Sequence, residues 1–142
     1  MVSILGLGGI NINGKIKKEV EKIDKDNIEL FKDFRPPTAF LHPIGLEKAT
    51  KSIKRTLEDI KQYKKLLTSY SHNLDHFPEI NQLENSINKL LKILEETHTS
   101  IYKLHQRINL DPIIQNIKIN LYEISDSWNK HKYKLRELKI IK

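Results

Sequence analysis

The sequence predicts an all-α protein, an up-and-down helical bundle with long coiled-coil-like helices, and three observations carry that expectation. Apolar residues recur three and four apart along most of the chain. The breaks in that rhythm coincide with prolines and turn-forming residues. The 142 residues fit one domain, and an apolar share of 38% supplies a modest core.

The chain opens with "MVSILGLGGIN". Residues 1–13 are expected to form a flexible apolar arm, because glycine leaves such a segment unable to hold a helix by itself. Ile4, Leu5, Leu7 and Ile10 are its candidate protein-binding residues. The run Gly6-Leu7-Gly8-Gly9-Ile10-Asn11 matches the first two glycines of the dinucleotide motif G-x-G-x-x-G, but Asn11 stands where the third belongs and no strand or sheet accompanies it. A secretory leader is not expected either, since no Lys or Arg precedes the apolar run and Asn11 ends it too soon.

A shorter helix is predicted over 14–34, with Ile16, Val20, Ile23, Leu30, Phe31 and Phe34 on one side. The linker 35–45, "RPPTAFLHPIG", holds three prolines and reads as largely extended. A long helix over 46–74 follows, with the seam Leu46, Ala49, Ile53, Leu57, Ile60, Tyr63, Leu67, Tyr70 and Leu74. Pro78 suits a first helical turn, because its missing N–H would be unpaired there anyway. It opens a helix over 78–108, whose seam runs Ile80, Leu83, Ile87, Leu90, Leu94, Thr97, Ile101, Leu104 and Ile108. Asp111 reads as an N-cap and Pro112 as the first residue of a last helix over 112–141, with the seam Ile114, Ile117, Leu121, Ile124, Trp128, His131, Leu135 and Leu138. Residues 14–142 thus form a single helical-bundle domain, and the three long helices would each span about 45 Å.

Chemistry is sparse in this pattern. With no cysteine, disulfides, thiol catalysis and Cys-ligated metals are excluded. His72 and His76 lie four apart, but "SHNLDHFP" reads as a turn and offers no third ligand, so no metal site is expected. His98 and His105 flank one seam and His131 falls within another, as hydrogen-bonded or half-exposed core histidines do. No phosphate loop, nucleophile elbow or di-iron carboxylate motif occurs, so catalytic residues, cofactors and a small-molecule substrate are not predicted.

Charge is the remaining signal. The net charge is +7, from 25 Lys and Arg against 18 Asp and Glu. Lys61, Lys64, Lys65, Lys130, Lys132, Lys134, Arg136 and Lys139 are candidate anion-binding residues, because in an up-down bundle the helices over 46–74 and 112–141 run in the same direction and end at the same pole. The competing reading is that lysines near helix C-termini complement the macrodipole and keep the surface soluble.

Leu66, Leu91 and Ile93 lie just off the main seams and Leu57 at the edge of one; all four are candidate protein-binding residues, and a second helix layer, intramolecular or from another subunit, would bury them. The expectation is a non-enzymatic structural or adaptor protein that binds protein subunits, copies of itself included, through helix seams and the apolar arm. The alternatives are a nucleic-acid-binding module using the lysine-rich pole and peripheral membrane attachment through the arm. No run approaches the length of a membrane span, and the cytoplasm is the expected compartment.

Overall fold

The described residues of the computed structural model are 2–34, 43–69 and 76–141, with side chains from Asn13 onward. Among them the apolar seams become four α-helices: α1 (Val2–Asp33), α2 (Pro43–Ser69), α3 (Pro78–His98) and α4 (Leu110–Glu137), with a π-helical segment Thr99–Lys103 extending α3. Cross-links fix their order. Asp33–Lys48, Asp26–Arg55 and Asp59–Lys22 set α1 antiparallel to α2, and Lys64–Glu84 ties α2 to α3. Ser86–Glu123 and Glu79–His131 set α3 antiparallel to α4. The result is an up-and-down bundle whose single core draws on every helix, from Ile16 and Leu30 through Ile60 and Leu90 to Ile124 and Leu135.

The boundaries differ from the sequence reading in five places. The helix read as starting at Gly14 begins at Val2. Helical glycine costs only about 1 kcal/mol relative to alanine, and the sequence from Gly14 on supplies the nucleus on which the helix propagates. The side chains of Ile4, Leu5, Leu7 and Ile10 lie outside the described residues. Pro43, placed in the linker by the sequence, is the first residue of α2, a position where proline removes no hydrogen bond. The end of this helix, read at residue 74, also lies outside the described residues.

α3 stops ten residues short of Ile108, ending at His98. Beyond it the ladder widens: Leu104 N–H donates to the Thr99 carbonyl (2.9 Å), Gln106 N–H donates to that of Ser100 (2.8 Å), and His105 turns left-handed at φ 50°. Thr99 and Ser100 are weak helix formers, and at this end the chain must reverse into α4. The apolar spacing persists, but Leu104 faces solvent. The cap of α4 is Asn109, not Asp111: its side chain accepts from Asp111 N–H (3.1 Å), leaving Asp111 in the first turn, where a negative charge suits the helix dipole.

α4 closes at Glu137 rather than at residue 141. Ile140 N–H donates to the Leu135 carbonyl (2.9 Å) and Lys139 N–H to that of Arg136 (3.0 Å), with Lys139 left-handed at φ 60°. This is a Schellman stop with lysine where glycine is favoured.

Candidate functional site

The most chemically suggestive cluster lies inside the bundle, near the pole where α2 and α4 end. Tyr63 enters from the seam of α2, Glu79 from the first turn of α3, and His131 and Lys134 from the last turns of α4. The Tyr63 hydroxyl is hydrogen bonded to His131 Nε2, and His131 Nδ1 lies 2.7 Å from Glu79 Oε2. Lys134 Nζ donates to Glu79 Oε1 (2.7 Å) and to the His76 carbonyl (2.9 Å). Trp128 stacks on the imidazole at 5.6 Å, while Phe77 and Tyr63 meet it edge-on at 5.2 and 5.3 Å.

The electrostatics follow from this packing. Burial pushes His131 below the usual imidazole range, with Glu79 pulling the other way, so the ring is neutral. The geometry then assigns its tautomer: Nδ1–H donates to Glu79, and Nε2 accepts from the Tyr63 hydroxyl. Burial alone would raise Glu79, but hydrogen bonds from Lys134, His131 and its own backbone outweigh it and hold the carboxyl below its ordinary value. Burial, reinforced by the Glu79 charge, raises the Tyr63 phenol far above its usual range. The cluster is therefore one carboxylate and one ammonium, joined to a neutral imidazole and a neutral phenol.

A hydroxyl, an imidazole and a carboxylate in series is the order of groups found in nucleophilic hydrolase sites. Here Tyr63 and His131 are both fully buried, at 0% exposure, so no reacting group can reach the hydroxyl in this conformation. The array acts as a clamp, and it joins α2, α3 and α4.

A second polar cluster binds α1 to α2. Asp26 and Asp59 are both buried, with Arg55 Nε 3.4 Å from Asp26 and Lys22 Nζ 3.3 Å from Asp59. Burial raises Asp26 to about 7, and a hydrogen bond and charge from Asp59 add to it against the pull of Arg55. Asp26 Oδ2 has no hydrogen-bond partner, which fits a carboxyl whose ionised form burial disfavours.

The sequence-derived candidates divide accordingly. Leu57 belongs to the core, and Leu66, Leu91 and Ile93 are partly buried against it, so the bundle itself supplies a second helix layer over these four. Of the basic set, Lys64 pairs with Glu84, Lys130 with Asp126, Lys132 with Asp24 and Lys134 with Glu79. Lys61 and Lys65 are exposed on α2 and Lys139 lies past the end of α4. α2 and α4 do end at one pole, but they face each other across the core through Tyr63 and His131, so their exposed lysines point away from one another. His76 is exposed, His72 lies outside the described residues, and among the described residues no group of three His, Cys, Asp or Glu could hold a metal ion. Nor is any described helix long and apolar enough to cross a membrane.

Sequence reading missed the outer face of α4. Ile119, Tyr122, Asp126, Asn129, Tyr133 and Arg136 are all exposed and are spaced three and four apart. They form a second seam opposite the buried one of Ile117, Ile124, Trp128, His131 and Leu135. Its signal was present in that spacing, but Asp126 and Asn129 interrupt its apolar character.

Fold and interior thus define an all-α helical bundle with a closed polar cluster inside its apolar core and an exposed seam with two tyrosines on its last helix. Comparison with protein-family models, curated proteins and solved structures finds no match to this chain.

Proposed function

We propose that this chain is a non-enzymatic structural or adaptor protein that binds protein subunits through an outward helix face. The observation that supports the reading is the outer seam of α4, where Tyr122 is 74% exposed, Tyr133 61% and Ile119 52%. Large side chains scattered singly over a surface need no explanation, but three on one face of one helix, in register with a three-four repeat, form a strip suited to a partner helix. The polar clusters inside the bundle are spent on packing. Ion pairs at Lys64, Lys132 and Lys134 weigh against a phosphate-binding pole, since each of these charges already has a partner on another helix.

The test is capture of the tagged protein from its native lysate after nuclease treatment, comparing wild type with the Ile119→Ser/Tyr122→Ser/Tyr133→Ser variant. A defined protein recovered with wild type and lost with the variant is the expected result. Partners lost on nuclease treatment, or recovered equally by both, would refute it.

A further inference from the structure

We infer that the outer seam of α4 docks on the same seam of a second copy, antiparallel about a two-fold axis. The inference deepens the subunit-binding reading and rests on it. A two-fold interface must be self-complementary: what one helix presents at one position, the other must accept at the mirrored one. In an antiparallel helix pair whose facing residues recur every three and four, the register of greatest overlap sets the first and last members of the seam opposite each other, and the rest follow in order.

Applied to Ile119, Tyr122, Asp126, Asn129, Tyr133 and Arg136, that rule generates three layers, each occurring twice. Tyr122 meets Tyr133 of the second copy, with two aromatic faces in contact. Asp126 meets Asn129 of the second copy, a carboxylate facing an amide donor. Ile119 meets Arg136 of the second copy, whose aliphatic stem covers it while the guanidinium stays in water. No layer places like charges together.

The flanks agree. Glu123 and Lys130 lie seven residues apart beside the seam, on its α3 side, and in this register Lys130 of one copy approaches Glu123 of the other, twice. In the single chain Lys130 Nζ pairs with Asp126 at 3.1 Å and Glu123 Oε2 accepts from the Ser86 hydroxyl at 3.2 Å. The Lys130–Asp126 pair is exposed and can rearrange at small cost, while Glu123 can keep its bond from Ser86 through Oε2 and offer its other carboxylate oxygen. Beside the seam, a groove between α3 and α4 is lined by Gln82, Asp126, Asn129, Lys130 and Tyr133, and it leaves room for Tyr122 of the second copy. One helix face with polar central layers makes a small interface, so the dimer is weak, with a dissociation constant on the order of micromolar.

Sedimentation equilibrium of the full chain, from low micromolar to millimolar, reads the mass directly. The expected result is a monomer of 16.7 kDa that passes to a dimer as concentration rises. Lys130→Glu and Glu123→Lys each place two like-charged contacts across the axis and should weaken the dimer about tenfold. The double variant Lys130→Glu/Glu123→Lys restores opposite charges and should recover it. Tyr122→Ser and Tyr133→Ser should abolish it, and both positions are exposed, so folding is spared; far-UV circular dichroism checks this for each variant. A monomer at every concentration overturns the inference, as does a dimer indifferent to all these changes. Single variants that the charge swap fails to rescue overturn the antiparallel register. If the chain is monomeric while the serine variant still loses a captured protein, the face binds another partner and the subunit-binding reading survives without the dimer.

Discussion

Tyr63 and His131 are hydrogen bonded across the centre of the bundle, hydroxyl to Nε2, from helices that face each other diagonally rather than lying side by side. The contact closes the core at the pole where Glu79 and Lys134 complete the chain of polar groups. Removing one member strands the others without solvent. His131→Ala leaves the Tyr63 hydroxyl and Glu79 Oε2 without their partner and opens a cavity, and should cost about 3–5 kcal/mol of unfolding free energy. Tyr63→Phe keeps the volume, removes one bond, and should cost about 1–2 kcal/mol. Urea denaturation of both variants checks the ranking, and equal costs would argue against a connected array.

The same cluster sets an acid-side pH dependence. His131 is held below its unfolded value of about 6.5, so its contribution is fully present above that pH and is lost as pH falls below it. Glu79, also held below its unfolded value, adds to the loss at lower pH. His131→Phe should remove the histidine part of this slope, as measured by thermal unfolding between pH 7 and 5.

Asp26 gives the opposite slope. Its folded value of about 7 lies above the unfolded carboxyl, so the folded state keeps a proton that the unfolded chain has released. Stability from this group is full below about pH 4 and declines as pH rises toward 7. Asp26→Asn cannot titrate and should flatten that decline. A decline unchanged in the variant would place the proton elsewhere.

Two helix ends make local predictions. Lys139 is left-handed at the close of α4, a conformation that costs a side-chain-bearing residue about 1–2 kcal/mol, so Lys139→Gly should stabilise by about 0.5–1 kcal/mol. Asn109→Ala removes the acceptor for Asp111 N–H and should destabilise by about 1 kcal/mol. Chemical denaturation reads both signs.

Gly14 tests the extent of α1. No atom lies within 4 Å of the Cβ that alanine would add, and the residue falls inside the helix. Gly14→Ala should therefore stabilise by about 0.5–1 kcal/mol and raise helical ellipticity. No gain would mean that the helix starts at Gly14, as the sequence spacing alone implies.

The seams of all four helices were legible because buried faces impose their three-four spacing directly on the sequence. Their ends were less so. Past His98 the apolar spacing runs on through Leu104, and only the widened ladder and the reversal at His105 show that the helix has ended. Leu57 reads both as a seam residue and as a candidate for docking at the seam's edge, and it lies in the core. α2 packs against both α1 and α3, and that wider buried arc takes in Ser52, Thr56 and Asp59 as well. His131 was legible as a seam residue, but its partners were not, since Tyr63 and Glu79 reach it from 68 and 52 residues away. The partners of the lysines were hidden for the same reason: Lys132–Asp24 and Lys134–Glu79 are long-range pairs that no segment-by-segment charge balance contains.

Hydroxyl-radical footprinting of the tyrosines most directly tests the claim that this bundle presents its outer α4 face to other subunits and keeps its reactive groups sealed. It compares the dilute protein with the assembly captured from its native lysate. The account predicts that Tyr122 and Tyr133 are oxidised in the dilute protein and protected in the assembly, while Tyr63 stays unreactive in both. Equal oxidation of Tyr122 and Tyr133 in the two states, or ready oxidation of Tyr63, would contradict it.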